Sequence, residues 1–339
     1  MTTQCDTRGA MLAHTNRWAC RGITTLGLAA FAVTPWGDAV AQGAAAAGAA
    51  PAAVTRDDLA KAYLRMDKAY AAADSLGAIS DSTRARVNRT FDRATLSFFG
   101  GRFAAAVASI DSSVQQLSVA SGVAAPAAVA VPALSAFPGD SRRTLTGANG
   151  AAIPMRVVVP PALATSKRPV GVLLALHGAG GDENMFIDAY GQGIVARLAA
   201  AQGLILVSST TTPFVQSAEP FDSLMAMLRR EYRVDTTRVF VMGHSMGAGA
   251  AASLARLRPS QLAGVVCLAG GAAVSVPGAP PMLFIGAQLD PIIPAARVRT
   301  AADGTPSGRY EELASEGHTL MVRRGVQRGM AWLEALPRR

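Results

Sequence analysis

Cysteine, lysine and aromatic side chains are all scarce in this 339-residue chain. The three cysteines are Cys5, Cys20 and Cys267. The first two lie in a leader read below as removable, which leaves one thiol and excludes an intramolecular disulfide. Cys267 stands in the apolar run Leu262-Ala-Gly-Val-Val-Cys-Leu268 and reads as a buried structural thiol. Lysine occurs only as Lys61, Lys68 and Lys167, so the net charge of +9 is carried almost wholly by arginine. Those arginines are scattered, and no dense basic run interleaved with aromatics is present, which argues against a nucleic-acid partner. Charged residues make up 16% of the chain and hydrophobic ones 50%, a balance that excludes wholly disordered, coiled-coil and collagen-like readings. The hydrophobic excess is largely alanine, and no uncharged run is long and bulky enough for a transmembrane helix. The length predicts about two domains at roughly 150 residues each, enough to bury a core without metal or disulfide staples.

What is present divides the chain into segments of different texture. Residues 1–41 read as an export signal: Arg8, Arg17 and Arg21 precede the apolar residues 22–36, and Ala39-Val-Ala41 offers a small-x-small cleavage site. The expected location is therefore periplasmic or extracellular. Residues 42–54 form an Ala/Gly/Pro-rich tether. Residues 55–120 carry three helical patterns. Thr55 with Asp57 and Asp58 opens the first, and Leu59, Tyr63, Met66 and Tyr70 give it one apolar face. The second starts near Asp81 with Val87, Phe91, Ala94 and Phe98 inward, and Gly100-Gly101 breaks it. The third runs from Arg102 to about Val119. The last two resemble one tetratricopeptide-type hairpin, fewer than such arrays need for stability. The region is thus either a plain three-helix unit or a module for a protein partner. Residues 121–139 form an Ala/Val/Pro linker.

From residue 140 onward, short apolar runs alternate with helical ones. The runs at 157–159, 171–176, 204–207, 238–242, 264–268 and 282–285 are uniformly apolar, as in parallel strands buried on both faces. Helical patterns are expected at 184–201, 221–232, 246–257, 294–302 and 319–336. This alternation predicts an α/β fold with a mostly parallel sheet and helices on both faces. Chemistry in such folds sits at the carboxyl ends of the strands.

Gly243-His-Ser-Met-Gly247 falls at such an end. A sharp strand-to-helix turn raises a serine hydroxyl above the sheet, and the flanking glycines keep side chains out of the turn. Ser245 is the candidate nucleophile, and a serine needs a base. The four histidines are His14, His177, His244 and His318. His14 lies in the leader, His177 precedes the serine at a strand end, and His244 adjoins it, which leaves His318. Asp290, just after an apolar strand, is the candidate partner of that imidazole. Asp303 sits in a turn sequence, and Glu316 is too near His318 in the chain. Leu176-His-Gly-Ala-Gly-Gly-Asp182 is a candidate oxyanion loop. Its expected donors are the backbone N–H groups of Ala179 and, after the serine, of Met246. His177, Gly178 and Gly180 are expected to support that loop. Asp182, Glu183 and Thr211 are placed at strand ends where substrate would lie.

Asp235-Thr-Thr-Arg-Val-Phe-Val-Met-Gly-His-Ser-Met-Gly247 resembles the Asp-x-x-Arg-Val-x-Val-x-Gly-x-Ser-Met-Gly signature of secreted feruloyl esterases and polyhydroxybutyrate depolymerases. Dienelactone-hydrolase-like and prolyl-oligopeptidase-like enzymes share parts of it. The resemblance covers residues 140–339. It implies an α/β-hydrolase fold and hydrolysis of a small or polymeric carboxylic ester by Ser245, Asp290 and His318, with no cofactor and no metal. A prolyl-oligopeptidase-like peptidase and a partner-binding protein with a secondary hydrolase domain are the alternatives. Only residues 270–281 separate the last two central strands, which leaves little room for a cap and predicts an open pocket.

Overall fold

The computed structural model describes residues 53–127, 137–147, 150–165 and 167–337. The expected export signal, nearly all of the tether and part of the linker lie outside the described residues. The described chain opens on a reciprocal cap: Thr55 Oγ1 accepts the Asp58 N–H, and Asp58 Oδ2 accepts the Thr55 N–H. These bonds satisfy amides that a helix start leaves without internal partners. Helix α1 (Arg56–Ser75) follows, then α2 (Asp81–Phe99), capped by Ser80, and α3 (Phe103–Ser121). Gly122 ends α3 in the left-handed region at φ 69°. The three helices bury Met66, Tyr70, Val87, Phe91, Ile110, Val114 and Leu117 among themselves.

The remaining elements are β1 (Asp140–Thr146), β2 (Ala152–Val158), α4 (Pro161–Ala164), β3 (Val170–Leu176), α5 (Ile194–Ala201), β4 (Leu204–Ser209), α6 (Thr212–Gln216), α7 (Glu219–Glu231), β5 (Val234–His244), α8 (Met246–Leu257), β6 (Gly264–Leu268), β7 (Met282–Ala287), α9 (Ala295–Asp303), β8 (Gly308–Leu313) and α10 (Val322–Glu334). The eight strands form one sheet in the order β1-β2-β4-β3-β5-β6-β7-β8. β2 runs antiparallel to both its neighbours, and every pairing from β4 to β8 is parallel. β3, β4, β6 and β7 are buried at every position, because α6–α9 cover one face and α5 and α10 the other. This is the α/β-hydrolase fold, preceded by a helical region. Among the described residues no helix is long and apolar enough to cross a membrane.

Two elements depart from the sequence pattern. β1 carries only one buried apolar side chain, Leu145, and pairs on one side only, so it lacks an apolar run. The helix expected at 184–201 is split. A π-helical turn, Met185–Ala189, leads into Gly191-Gln-Gly193, where all three residues have positive φ, and α5 starts afresh at Ile194.

Candidate active site

The turn between β5 and α8 lifts Ser245 out of the sheet. Its backbone sits at φ 55°, ψ −114°, a conformation costly for a residue with a side chain. The flanking glycines are required by contact. A Cβ on Gly243 would fall 2.0 Å from the Gly247 carbonyl oxygen, and one on Gly247 would fall 1.9 Å from that of Leu176. The turn is pinned to the next strand by Ser245 N–H, which donates to the Leu268 carbonyl at 2.9 Å.

Ser245, His318 and Asp290 come together from three separate loops. Nε2 of His318 lies 3.0 Å from Ser245 Oγ, and its Nδ1 lies 2.7 Å from Asp290 Oδ2. The other Asp290 oxygen accepts the N–H groups of Ile292 and Ile293 at 2.8 Å each. That orientation leaves Oδ2 to accept the Nδ1–H of His318. The tautomer it favours has a bare Nε2, free to accept from the serine hydroxyl.

The other two described histidines are braces. His177 Nε2 accepts the Thr211 N–H at 3.2 Å, so Nδ1 carries the proton and donates to the Gly178 carbonyl at 2.7 Å. Burial pushes its pKa down, in keeping with a neutral ring. His244 accepts from Tyr190 Oη at Nδ1 and donates from Nε2 to the His318 carbonyl, both at 2.9 Å. Burial pushes this imidazole down to about 3, so it stays uncharged beside the site. Cys267 is buried, its thiol pushed up to about 12 by burial.

Ala179, Gly178 and Gly180 line the cavity beside Ser245, and Met246 is the first residue of α8, where backbone amides lack helical partners. Of the three expected substrate contacts, only Asp182 lines the cavity; it also accepts the Asn184 N–H at 2.9 Å. Glu183 is turned to Arg142 at 3.5 Å. Thr211 is fully buried, and its hydroxyl donates to the His177 carbonyl at 2.9 Å, so it braces the loop instead of facing substrate.

A further set of residues comes from the helical region. Asp92 of α2 accepts the His318 N–H, at 3.1 Å to Oδ1 and 3.3 Å to Oδ2. Asn88, one turn earlier, accepts the Gly317 N–H at 2.8 Å and donates to Glu316 Oε2 at 3.0 Å. Glu316, fully buried, also takes Arg84 and Arg324 at 3.2 Å each. Thr95 meets Thr319 at 3.2 Å. Burial pushes Asp92 up to about 7, and the nearby Asp290 and Glu316 act in the same direction. The sequence held a signal: Arg84, Asn88 and Asp92 recur every four residues, a polar stripe beside the apolar Val87 and Phe91.

These contacts add a helical wall to a pocket that stays open to solvent. Above Ser245 lies a cavity of about 300 Å3, walled by residues 178–182 and Met185 on one side and by α1 and α2 on the other. Space for a wall is supplied from before the sheet, not from residues 270–281.

Residues 171–328 match the family model described as serine aminopeptidase, S33. Comparison with curated proteins gives no match. Similar solved structures include a thermostable esterase, 19% identical, with a TM-score of 0.48 over 58% of this chain. The match covers 63% of that esterase, less than two thirds of its length. An S-formylglutathione hydrolase from Agrobacterium tumefaciens is 17% identical, with a TM-score of 0.48 over 60% of this chain and 97% of that one. An esterase from the archaeon Pyrobaculum calidifontis is 17% identical, with a TM-score of 0.44 over 59% of this chain and 84% of that one.

Proposed function

We propose that this chain is a serine hydrolase that cleaves carboxylic esters through an acyl-enzyme. The observation that carries the reading is the unbroken line from Asp290 through His318 to Ser245, with contacts of 2.7 and 3.0 Å, at a strained strand-to-helix turn. Ser245 Oγ attacks the ester carbonyl carbon as His318 Nε2 takes its proton. The carbonyl electrons move to oxygen, where the Ala179 and Met246 N–H groups hold the charge. Collapse breaks the bond to the leaving alkoxide, which takes the proton from His318. Water then attacks the acyl group by the same route, releasing the carboxylic acid and restoring Ser245. The arginine-led apolar leader in residues 1–41 supports export.

Labelling with a fluorophosphonate tests this directly. The wild type is expected to react and Ser245→Ala to stay unlabelled; a wild type that does not react overturns the reading.

One observation favours a second reading. The matched family model is described as a serine aminopeptidase, which supports an amide substrate. Turnover of an aryl ester set against that of the matching anilide separates the two. Faster cleavage of the anilide would favour the peptidase.

A further inference from the structure

We propose that α1 and α2 form a substrate-selecting cap, that the ester cleaved carries one compact apolar group, and that Phe98 sets the size of that group. The proposal rests on the esterase reading and adds a substrate class to it.

Three independent features converge. The first is the chemistry of the wall. Leu59 and Tyr63 of α1 and Phe91, Ala94 and Phe98 of α2 face the same cavity as Ser245 and make most of its helical wall apolar, while Arg56 of α1 also lines it, its guanidinium 6.0 Å from the centroid of the Phe98 ring. At about 300 Å3 the cavity lies at the lower limit of ligand pockets, which run from about 300 to 1,000 Å3. A single ring or a short acyl chain fills this space, and a longer chain has to extend beyond it past the rim of α1 and α2.

The second is the placement of Phe98 against the oxyanion loop. A Cβ on Gly180 would lie 2.3 Å from the Phe98 ring, so only a glycine at that position lets the ring rest there. Gly180 adjoins Ala179, the expected oxyanion donor. This places the Phe98 ring beside the loop expected to hold the reacting carbonyl. Phe103 stacks on Phe98 at 6.0 Å between centroids, and Phe99 packs against it at 5.6 Å, which holds the ring in place.

The third is that the wall is tied to the machinery it covers. Asp92 and Asn88 of α2 hold the backbone of Gly317 and His318, and Thr95 meets Thr319. Swinging α2 outward to admit a long chain would break the contacts that place the imidazole. Size selection and proton transfer are thus coupled through one helix.

The test is a series of 4-nitrophenyl esters, from acetate through butyrate and laurate to palmitate, together with an insoluble polyester film. Wild type, Phe98→Leu and Phe98→Ala are compared, with rates normalised to the fraction of enzyme labelled by a fluorophosphonate. The wild type is expected to favour acetate and butyrate, with kcat/KM at least about tenfold lower for laurate. Phe98→Ala is expected to move the optimum to longer chains, and Phe98→Leu to move it part of the way. A labelled wild type that hydrolyses laurate or the film as fast as butyrate overturns the cap proposal but leaves the esterase reading intact. So does a labelled Phe98→Leu or Phe98→Ala with an unmoved profile. A wild type that neither labels nor turns over any ester removes the esterase reading and this proposal with it.

Discussion

At the residue scale, Asp92 holds the backbone of His318, a member of the proposed Ser245, His318 and Asp290 trio. Its carboxyl is 2% exposed and faces the backbone N–H of His318 rather than a cation. Removing the carboxyl leaves that N–H buried without an acceptor, at a cost of about 1–3 kcal/mol. The imbalance falls on the loop that aims Nε2 at Ser245. Asp92→Ala is therefore expected to lower kcat by about ten- to a hundredfold with little change in KM, as for small misplacements of a reacting group. Asp92→Asn keeps one acceptor oxygen and is expected to recover most of the rate. Steady-state kinetics on a short-chain ester decides the point; equal losses in the two variants would show that the charge matters and the hydrogen bond does not. His244 supports the same residue from the opposite side, through the His318 carbonyl. Tyr190→Phe removes the donor to His244 Nδ1 and is expected to cost stability by about 1 kcal/mol, read from a urea midpoint.

At the scale of elements, α2 is at once a cap wall, a core helix and a clamp on the His318 loop. Its approach to that loop depends on Gly317. A Cβ there would fall 2.0 Å from Asp92 Oδ2, so any side chain at this position pushes α2 and the loop apart. Gly317→Ala is expected to lower ester turnover by more than its effect on the melting temperature accounts for. A variant as active as wild type would mean that the clamp does not control the imidazole. The same helix shows where sequence reasoning reaches and where it stops. Strands β3, β4, β6 and β7 were legible because burial on both faces leaves an uninterrupted apolar run. The elbow was legible because its glycines answer to a local steric demand at Gly243 and Gly247. Ser245, Asp290 and His318 stand in the chain order such folds use, and the structure brings all three within hydrogen-bonding distance. By contrast, the pairing of Asp92 with His318 spans 226 positions, which no local pattern specifies. The short stretch of residues 270–281 says nothing of a wall, because the wall comes from α1 and α2, ahead of the sheet in the chain. Edge strand β1 carries no apolar run, because one-sided pairing asks little of its side chains.

At the scale of the whole molecule, docking the helices onto the hydrolase fold buries two carboxyl groups. Asp92 meets the His318 loop, and Asp67 of α1 accepts the Gly191 N–H at 3.1 Å. Burial pushes each from 3.8 up to about 7. Between these values the folded chain holds two protons that the unfolded chain has released. Stability from this source is therefore full below about pH 4 and is lost as the pH rises through about 7. His244 works in the opposite sense. Its folded value of about 3 lies below the 6.5 of a free imidazole, so stability is lost as the pH falls from 6.5 toward about 3. The two terms squeeze the folded state from both sides. Replacing both carboxyls, as Asp67→Asn with Asp92→Asn, removes the alkaline side alone. Relative to wild type, the double variant is expected to gain stability progressively from about pH 4 to about pH 7 and to change little further above that. Urea midpoints collected across this range measure the difference. A difference that does not vary with pH would show that the two carboxyls are ionised in the folded chain, and that the helices dock on charge pairs instead of on protonated acids.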